Sequence, residues 1–198
     1  NKVEVKSTIN LEGKNVYAVW LENNSTAVFN GTTEINFIVP DGLDEEAVQK
    51  YLEERNRNIF YTDKNSSEII IQGNVIANGD IAISQNDGTI SISKDCEEIL
   101  NDKGQVIGYK KKDAALISTG KLELDGNIKV SMDNFIGMSD ENMNKYATDE
   151  YIKADGGIVG DGTLVSGSYL FDIKTDKTDN SISLTDVDRK NFNDIVLN

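Results

Sequence analysis

The sequence predicts an all-β protein of the right-handed parallel β-helix class, a solenoid with one or two short helical insertions. Three observations lead there. Short apolar runs alternate with period two, turn-forming residues separate the runs, and one segment recurs later in the chain with the same chemistry at every second position.

The alternation is plain in Ile81 and Ile83 across Ala82, Ile90 and Ile92 across Ser91, Leu122 and Leu124 across Glu123, and Ile128 and Val130 across Lys129. In a strand, alternate side chains point to opposite faces, so each run can send its Ile, Leu or Val inward and its polar residue to water. The recurrence matches Gly73, Val75, Ala77, Gly79, Ile81 and Ile83 to Gly120, Leu122, Leu124, Gly126, Ile128 and Val130 without a gap, an offset of 47 positions. A period of that size suits about two coils of roughly 20 to 25 residues each. The expected inward ladder is therefore Val75, Ile81, Ile83, Leu122, Ile128 and Val130, with Val75 and Leu122 stacked. Looser copies surround Ile9, Leu11, Gly13, Val16 and Ala18, and again Gly162, Leu164, Ser166, Ser168 and Leu170.

Corners are expected at Asn78-Gly79, Asp87-Gly88 and Asp125-Gly126, because Gly and Asn adopt positive φ where other residues are strained. The same dipeptides also make hairpins in an antiparallel sandwich, which stands as the structural alternative. A single proline, Pro40, and small residues recurring in register with the glycines favour the solenoid. Two stretches break the strand pattern. Residues 43 to 58 carry Val48, Tyr51 and Leu52 at helical spacing behind a cap at Asp41 or Asp44, with Glu46–Lys50 and Glu53–Arg57 as pairs four apart. Residues 139 to 152 repeat the pattern more weakly, with Ser139 as cap and Met143, Tyr146 and Ala147 on one face. The whole of 1–198 is read as one solenoid segment.

Composition excludes several function classes. There are 20 Lys plus Arg against 34 Asp plus Glu, a net charge of −14, which repels nucleic-acid phosphates and anionic lipid surfaces. The one basic run, Lys110 to Lys112 after Tyr109, is expected to be a solvated turn. With no His and one Cys, Ser-His-Asp and Cys-His catalysis and the usual zinc sites are unavailable. Cys96 is read as a small buried or half-buried residue. Paired-carboxylate chemistry on a polysaccharide survives as the enzymatic alternative. Calcium is weighed at Asp161, Asp172, Asp176, Asp186 and Asp188, but the run Gly156 to Gly162 has the wrong spacing for a calcium-binding repeat and is read as turn glycines. The same run lacks the Lys-Ser/Thr ending of a phosphate loop. No metal, cofactor or catalytic residue is assigned, and no binding residue can be named.

The last forty residues are the most distinctive: Ser168 to Asp176, then Asn180 to Thr185, then Arg189 to Val196. Gly167, Tyr169 and Phe171, followed by Leu184 and Thr185 and then by Arg189, Lys190 and Phe192, resemble the passenger C-terminus of type V autotransporters, in particular the very large adhesins of fusobacteria. The resemblance covers about residues 114 to 198. It implies a passenger segment at the cell surface, extracellular, non-catalytic, and continuous in its parent with a membrane β-barrel downstream. It further implies an end that nucleates folding outside the cell, with Tyr169, Phe171, Leu184 and Phe192 in that autochaperone-like region. The implied partners are glycans or proteins of host or bacterial surfaces, engaged by the whole passenger. The start at Asn1 is read as that of an excised piece whose export signal lay upstream. A disulfide-free chain suits threading through an outer membrane, where stability must come from repetitive backbone pairing. A secreted β-sandwich binding domain is the third reading.

Overall fold

Runs rich in Ile, Leu and Val form strands here as their alternation predicts, and the strands pair side by side in the same direction. The computed structural model describes residues 7–63, 67–84, 89–93, 96–111, 114–131, 150–160, 162–166, 169–172 and 179–183. The chain lays down its strands in successive levels. The first holds β1 (Ser7–Glu12), β2 (Val19–Leu21) and β3 (Thr26–Phe29); the second holds β4 (Thr33–Ile38), β5 (Phe60–Thr62) and β6 (Glu68–Ile71). The third holds β7 (Asn74–Asn78), β8 (Ile81–Ile83) and β9 (Thr89–Ser93), and the fourth β12 (Ala115–Ser118), β13 (Leu122–Leu124) and β14 (Asn127–Ser131). The fifth is β15 (Glu150–Val159) and β16 (Thr163–Ser166). A hairpin of β10 (Cys96–Leu100) and β11 (Val106–Lys111) lies between the third and fourth levels, and β17 (Tyr169–Asp172) and β18 (Asp179–Ser183) follow the fifth.

Pairing makes the protein mostly β, built on a curled sheet of seven parallel strands ordered β1-β4-β7-β12-β15-β13-β8. A second sheet runs β17-β16-β14-β9-β6-β3, parallel except for its β16–β17 edge, and β2 with β5 forms a third, parallel pair. The antiparallel-sandwich alternative is thereby corrected: the segments around Gly73 and Gly120 lie in parallel pairs, not in hairpins. Antiparallel pairing at the far end comes from β17 on β16 and β18 on β15.

The expected ladder residues lie on paired parallel strands, but in a register that differs from the expected one. Val75 lies beside Leu116, not Leu122, and Leu122 lies between Ile81 and Ile158. Ile83 pairs with Leu124, Ile128 with Ile90, and Val130 with Ile92. The true offset is thus 41 positions from Val75 to Leu116, 36 from Leu116 to Ile152, and only 21 from Ile69 to Ile90. Inserted segments of different length explain this. The step from Ile69 to Ile90 contains no insertion, whereas the step from Val75 to Leu116 absorbs the β10–β11 hairpin and the step from Thr33 to Val75 absorbs the helix at Glu45–Glu54. No fixed period exists, and alternating Ile, Leu and Val can be matched at several wrong offsets.

Val75, Ile81, Ile83, Leu122 and Ile128 are each at most 3% exposed, joined by Ile35, Ile69, Ile92, Leu116 and Ile152 at 0%. Each such side chain contributes roughly 1.5–3 kcal/mol on burial. Ser91, expected to face water, is buried, and Ala82 is buried as well. Ser91 satisfies its hydroxyl by donating to Glu68 Oε1 at 2.7 Å. On the outer face Asn10, Asn36 and Asn78 fall in register and bond in series, Asn78 Nδ2 to Asn36 Oδ1 at 2.6 Å and Asn36 Nδ2 to Asn10 Oδ1 at 3.1 Å.

Glycine closes one line of corners. Gly79 has φ +143°, as a sharp corner requires, whereas Gly126 turns without positive φ, and Asp87-Gly88 lies outside the described residues. Gly120 is needed for a different reason: a Cβ there would lie 2.2 Å from Asp80 Oδ1 and 2.7 Å from the Asp80 nitrogen. Gly156 in turn would press on the Gly120 carbon at 2.8 Å. Three successive levels therefore touch backbone to backbone. Ser118, fully buried, donates to the Gly79 carbonyl at 2.8 Å, and Lys121 N donates to Asp80 Oδ1 at 2.7 Å, so the contact line is also hydrogen-bonded.

The first insertion is the helix α1 (Glu45–Glu54), inside the expected 43–58 and capped by Asp44, whose carboxylate accepts from Ala47 N at 2.9 Å. Its pairs differ from those expected: Lys50 reaches Glu54 at 3.8 Å, Gln49 reaches Glu53 at 3.1 Å, and Arg57 turns away to Glu123 at 3.3 Å. Arg57 lies beyond the last helical turn, so Glu53 cannot meet it on a helical face. The second predicted helix, 139 to 152, is corrected at its end, where 150–152 begin strand β15; the rest falls outside the described residues. Lys110 and Lys111 are strand residues of β11 and not a turn, because β10 offers them a hairpin partner. Glycines 156 to 157 likewise lie within β15.

Candidate functional site

Of the residues expected to form the ladder, Val75, Ile81, Ile83, Leu122 and Ile128 lie inside, and the side chain of Val130 lies outside the described residues. The autochaperone-like residues are only partly in view. Tyr169 and Phe171 sit on β17, opposite Ser166 and Leu164 of β16, while Leu184 and Phe192 lie outside the described residues. Function must therefore be sought on outward surfaces, and two stand out.

The first arises where β2 and β5 pair. Parallel register places Trp20 beside Tyr61, and the outward-pointing rings stack with centroids 4.0 Å apart and planes 25° apart. Tyr17, just ahead of β2, meets Trp20 at 85° with centroids 4.9 Å apart. Burial does not explain this cluster, since Trp20 remains 53% and Tyr17 37% exposed. The indole is held in place: its Nε1 donates to Glu22 Oε1 at 2.9 Å. Beyond Glu22 the chain turns through Asn23 and Asn24, both near φ +60°, a conformation Asn tolerates better than most side chains. Asp63 fixes the turn by accepting from Asn23 N at 2.8 Å and from the Ser67 hydroxyl at 2.7 Å. Three rings thus adjoin a rim of exposed Glu22, Asn23 and Asn24.

Sequence reasoning missed this surface. Tyr17 and Trp20 are close in sequence, but Tyr61 is 41 positions after Trp20 and nothing local groups it with them. The signal was the separation of Trp20 from Tyr61, the same 41 positions that join Val75 to Leu116. It becomes readable only once the true register is known.

The second surface is a polar cleft of about 330 Å³ beside the end of α1, lined among others by Glu53, Arg55, Asn58, Ser84, Glu123 and Asp125. Asn58 organises it by accepting from both the nitrogen and the hydroxyl of Ser84, at 3.1 and 2.6 Å. Arg55 is buried at 6% exposure, with its guanidinium 3.5 Å from the Phe37 ring centre and donating to the Asp80 carbonyl at 2.5 Å. Burial pulls the Arg55 pKa down, while the Asp80 charge opposes that fall. Arginine stays protonated regardless. The cleft gathers carboxylates, as a polysaccharide-cleaving site would require, but Glu123 is already engaged by Arg57. On the opposite flank of α1, the ammonium of Lys14 bonds the Glu54 carboxylate and holds its pKa below the usual glutamate range.

No family model, no curated protein and no solved structure matches the chain.

Proposed function

We propose that the chain is a right-handed parallel β-solenoid segment of a bacterial surface adhesin, a non-catalytic stalk in the passenger region of an autotransporter. The observation that carries this reading is the run of parallel levels ending in antiparallel strands, β17 on β16 and β18 on β15. A stack of parallel levels extends by adding one more level to an open edge, so it suits a long stalk. Reversing the last strands ends that growth, as the membrane-proximal end of such a passenger requires. The outer Asn series and the backbone-to-backbone glycine line also favour a chain stabilised by repetition without disulfides. In this reading about residues 114 to 198 form the folding nucleus, the protein works outside the cell, and a membrane β-barrel follows in the parent.

Hydrogen exchange on the intact chain in rising denaturant tests the folding role. Amides of β12 to β16 should remain protected after those of β1 to β3 have exchanged; the reverse order would defeat it. Beads coated with the chain should adhere to host or bacterial cells more than beads coated with an unrelated acidic protein of equal charge, and equal adherence would remove the adhesive part. A screen for glycan cleavage separates the enzymatic alternative, since any turnover abolished by Glu123→Gln would replace the stalk reading.

A further inference from the structure

The ring cluster on β2 and β5 has a physical reading of its own. Side chains as apolar as Tyr17, Trp20 and Tyr61 are normally buried, yet here they meet one another at the surface. Among the described residues β2 has a strand partner on one side only, so Tyr61 covers one side of the indole and the side turned away has no strand over it. An aromatic face carries negative π density, and a group presenting weakly positive C–H bonds in a flat array packs on it well. The apolar side of a pyranose ring is such a group.

The surroundings select among possible occupants. The open ring surface is roughly 200 Å² by ordinary aromatic areas, well short of the roughly 800 Å² per partner of a stable protein interface. It does match one or two sugar rings. Glu22, Asn23 and Asn24 supply exposed carboxylate and amide groups that accept from and donate to hydroxyls beside the rings. The carboxylates of Glu22 and Asp63 and a net charge of −14 disfavour sulfated or uronic sugars and anionic membranes. We propose that Tyr17, Trp20 and Tyr61, with the Glu22–Asn24 rim, form a subsite for a neutral glycan. The assignment rests on ring geometry and rim chemistry, independently of the stalk reading, which survives its failure.

Trp20 is the only tryptophan in the chain, so the emission of the intact protein reports on this one site. Titration with cellotetraose, galactotetraose and chitotetraose should shift or quench that emission for at least one sugar below about 10 mM, and tetragalacturonate should do so at least tenfold more weakly. Tyr17→Ala and Tyr61→Ala, which keep the reporter, should weaken binding about tenfold or more. Ile107→Ser, which alters an exposed apolar residue on β11, should leave it unchanged. By calorimetry, Trp20→Ala should bind nothing and Trp20→Phe should bind weakly. The proposal is overturned if no neutral sugar shifts the emission, if the acidic sugar binds best, if Ile107→Ser loses binding equally, or if the emission depends on protein concentration without sugar, which would make the rings a contact between copies.

Discussion

Two regions flank the same stack of strands and close it in opposite ways. Along the corner line of Gly79, Gly120 and Gly156, successive levels touch through main-chain atoms and nothing larger than hydrogen fits between them. Along the flank beneath α1, the gap is wide enough for a whole arginine, and Arg55 fills it by lying on Phe37 and bonding the Asp80 carbonyl. Asp80 belongs to both: its side chain accepts from Lys121 N on the corner line while its carbonyl accepts from Arg55 on the flank. The contrast shows that an insertion disturbs the stack only where it enters. One side chain restores the contact there, and the adjoining corner line keeps its spacing.

The contrast can be broken most forcefully at the corner. Gly120→Ala should destabilise the protein by about 3 kcal/mol, since overpacking against main-chain atoms that cannot retreat typically costs ~1–3 kcal/mol or more. Gly42→Ala, at φ +81° with open space around it, should lose only the smaller conformational penalty of about 1–2 kcal/mol. Equal losses in urea unfolding would mean the corner is looser than the geometry states. On the flank, Arg55→Ala removes the stack on Phe37 and a charged donor from the Asp80 carbonyl, and should lower stability by about 2 kcal/mol in the same assay. Asp44→Ala should cost about 1 kcal/mol by removing the α1 cap, with a matching small loss of helical circular dichroism.

The smallest effect concerns pH. Because the Lys14 bond lowers the folded pKa of Glu54, the stabilisation it gives is present above the ordinary glutamate range and fades as pH falls through the lowered value. Stability compared at pH 7 and pH 3 should therefore drop slightly less in Glu54→Gln than in the parent. An identical drop would show that this exposed pair adds nothing.

These regions also show what could be read from residues alone. Strand alternation put Val75, Ile81, Leu122 and Ile128 inside, and helical spacing behind Asp44 located α1, because both signals are local. Register is not local. It depends on how many residues each insertion takes out of the stack, and the 47-position match of Val75 to Leu122 arose because one alternating run of Ile and Leu resembles another. The errors in pairing followed from that. Arg55, the Asn10–Asn36–Asn78 series and the Trp20–Tyr61 pair were all hidden for the same reason: each is defined by a neighbour in another level. Gly120 was matched only to Gly73 by the repeat, and the close approach to Asp80 that requires it shows only across levels.

The register itself is the most direct thing to measure. In a Cys96→Ser background, Ile76→Cys with Ile117→Cys joins two partly exposed positions paired across parallel strands, about 4.8 Å apart by ordinary strand spacing and within reach of a disulfide. Ile76→Cys with Glu123→Cys, 47 positions apart, tests the competing register. Mild oxidation should close the first pair rapidly in the native protein and leave the second as free thiols. Closure of the second pair, with the first left open, would contradict the stacking described here.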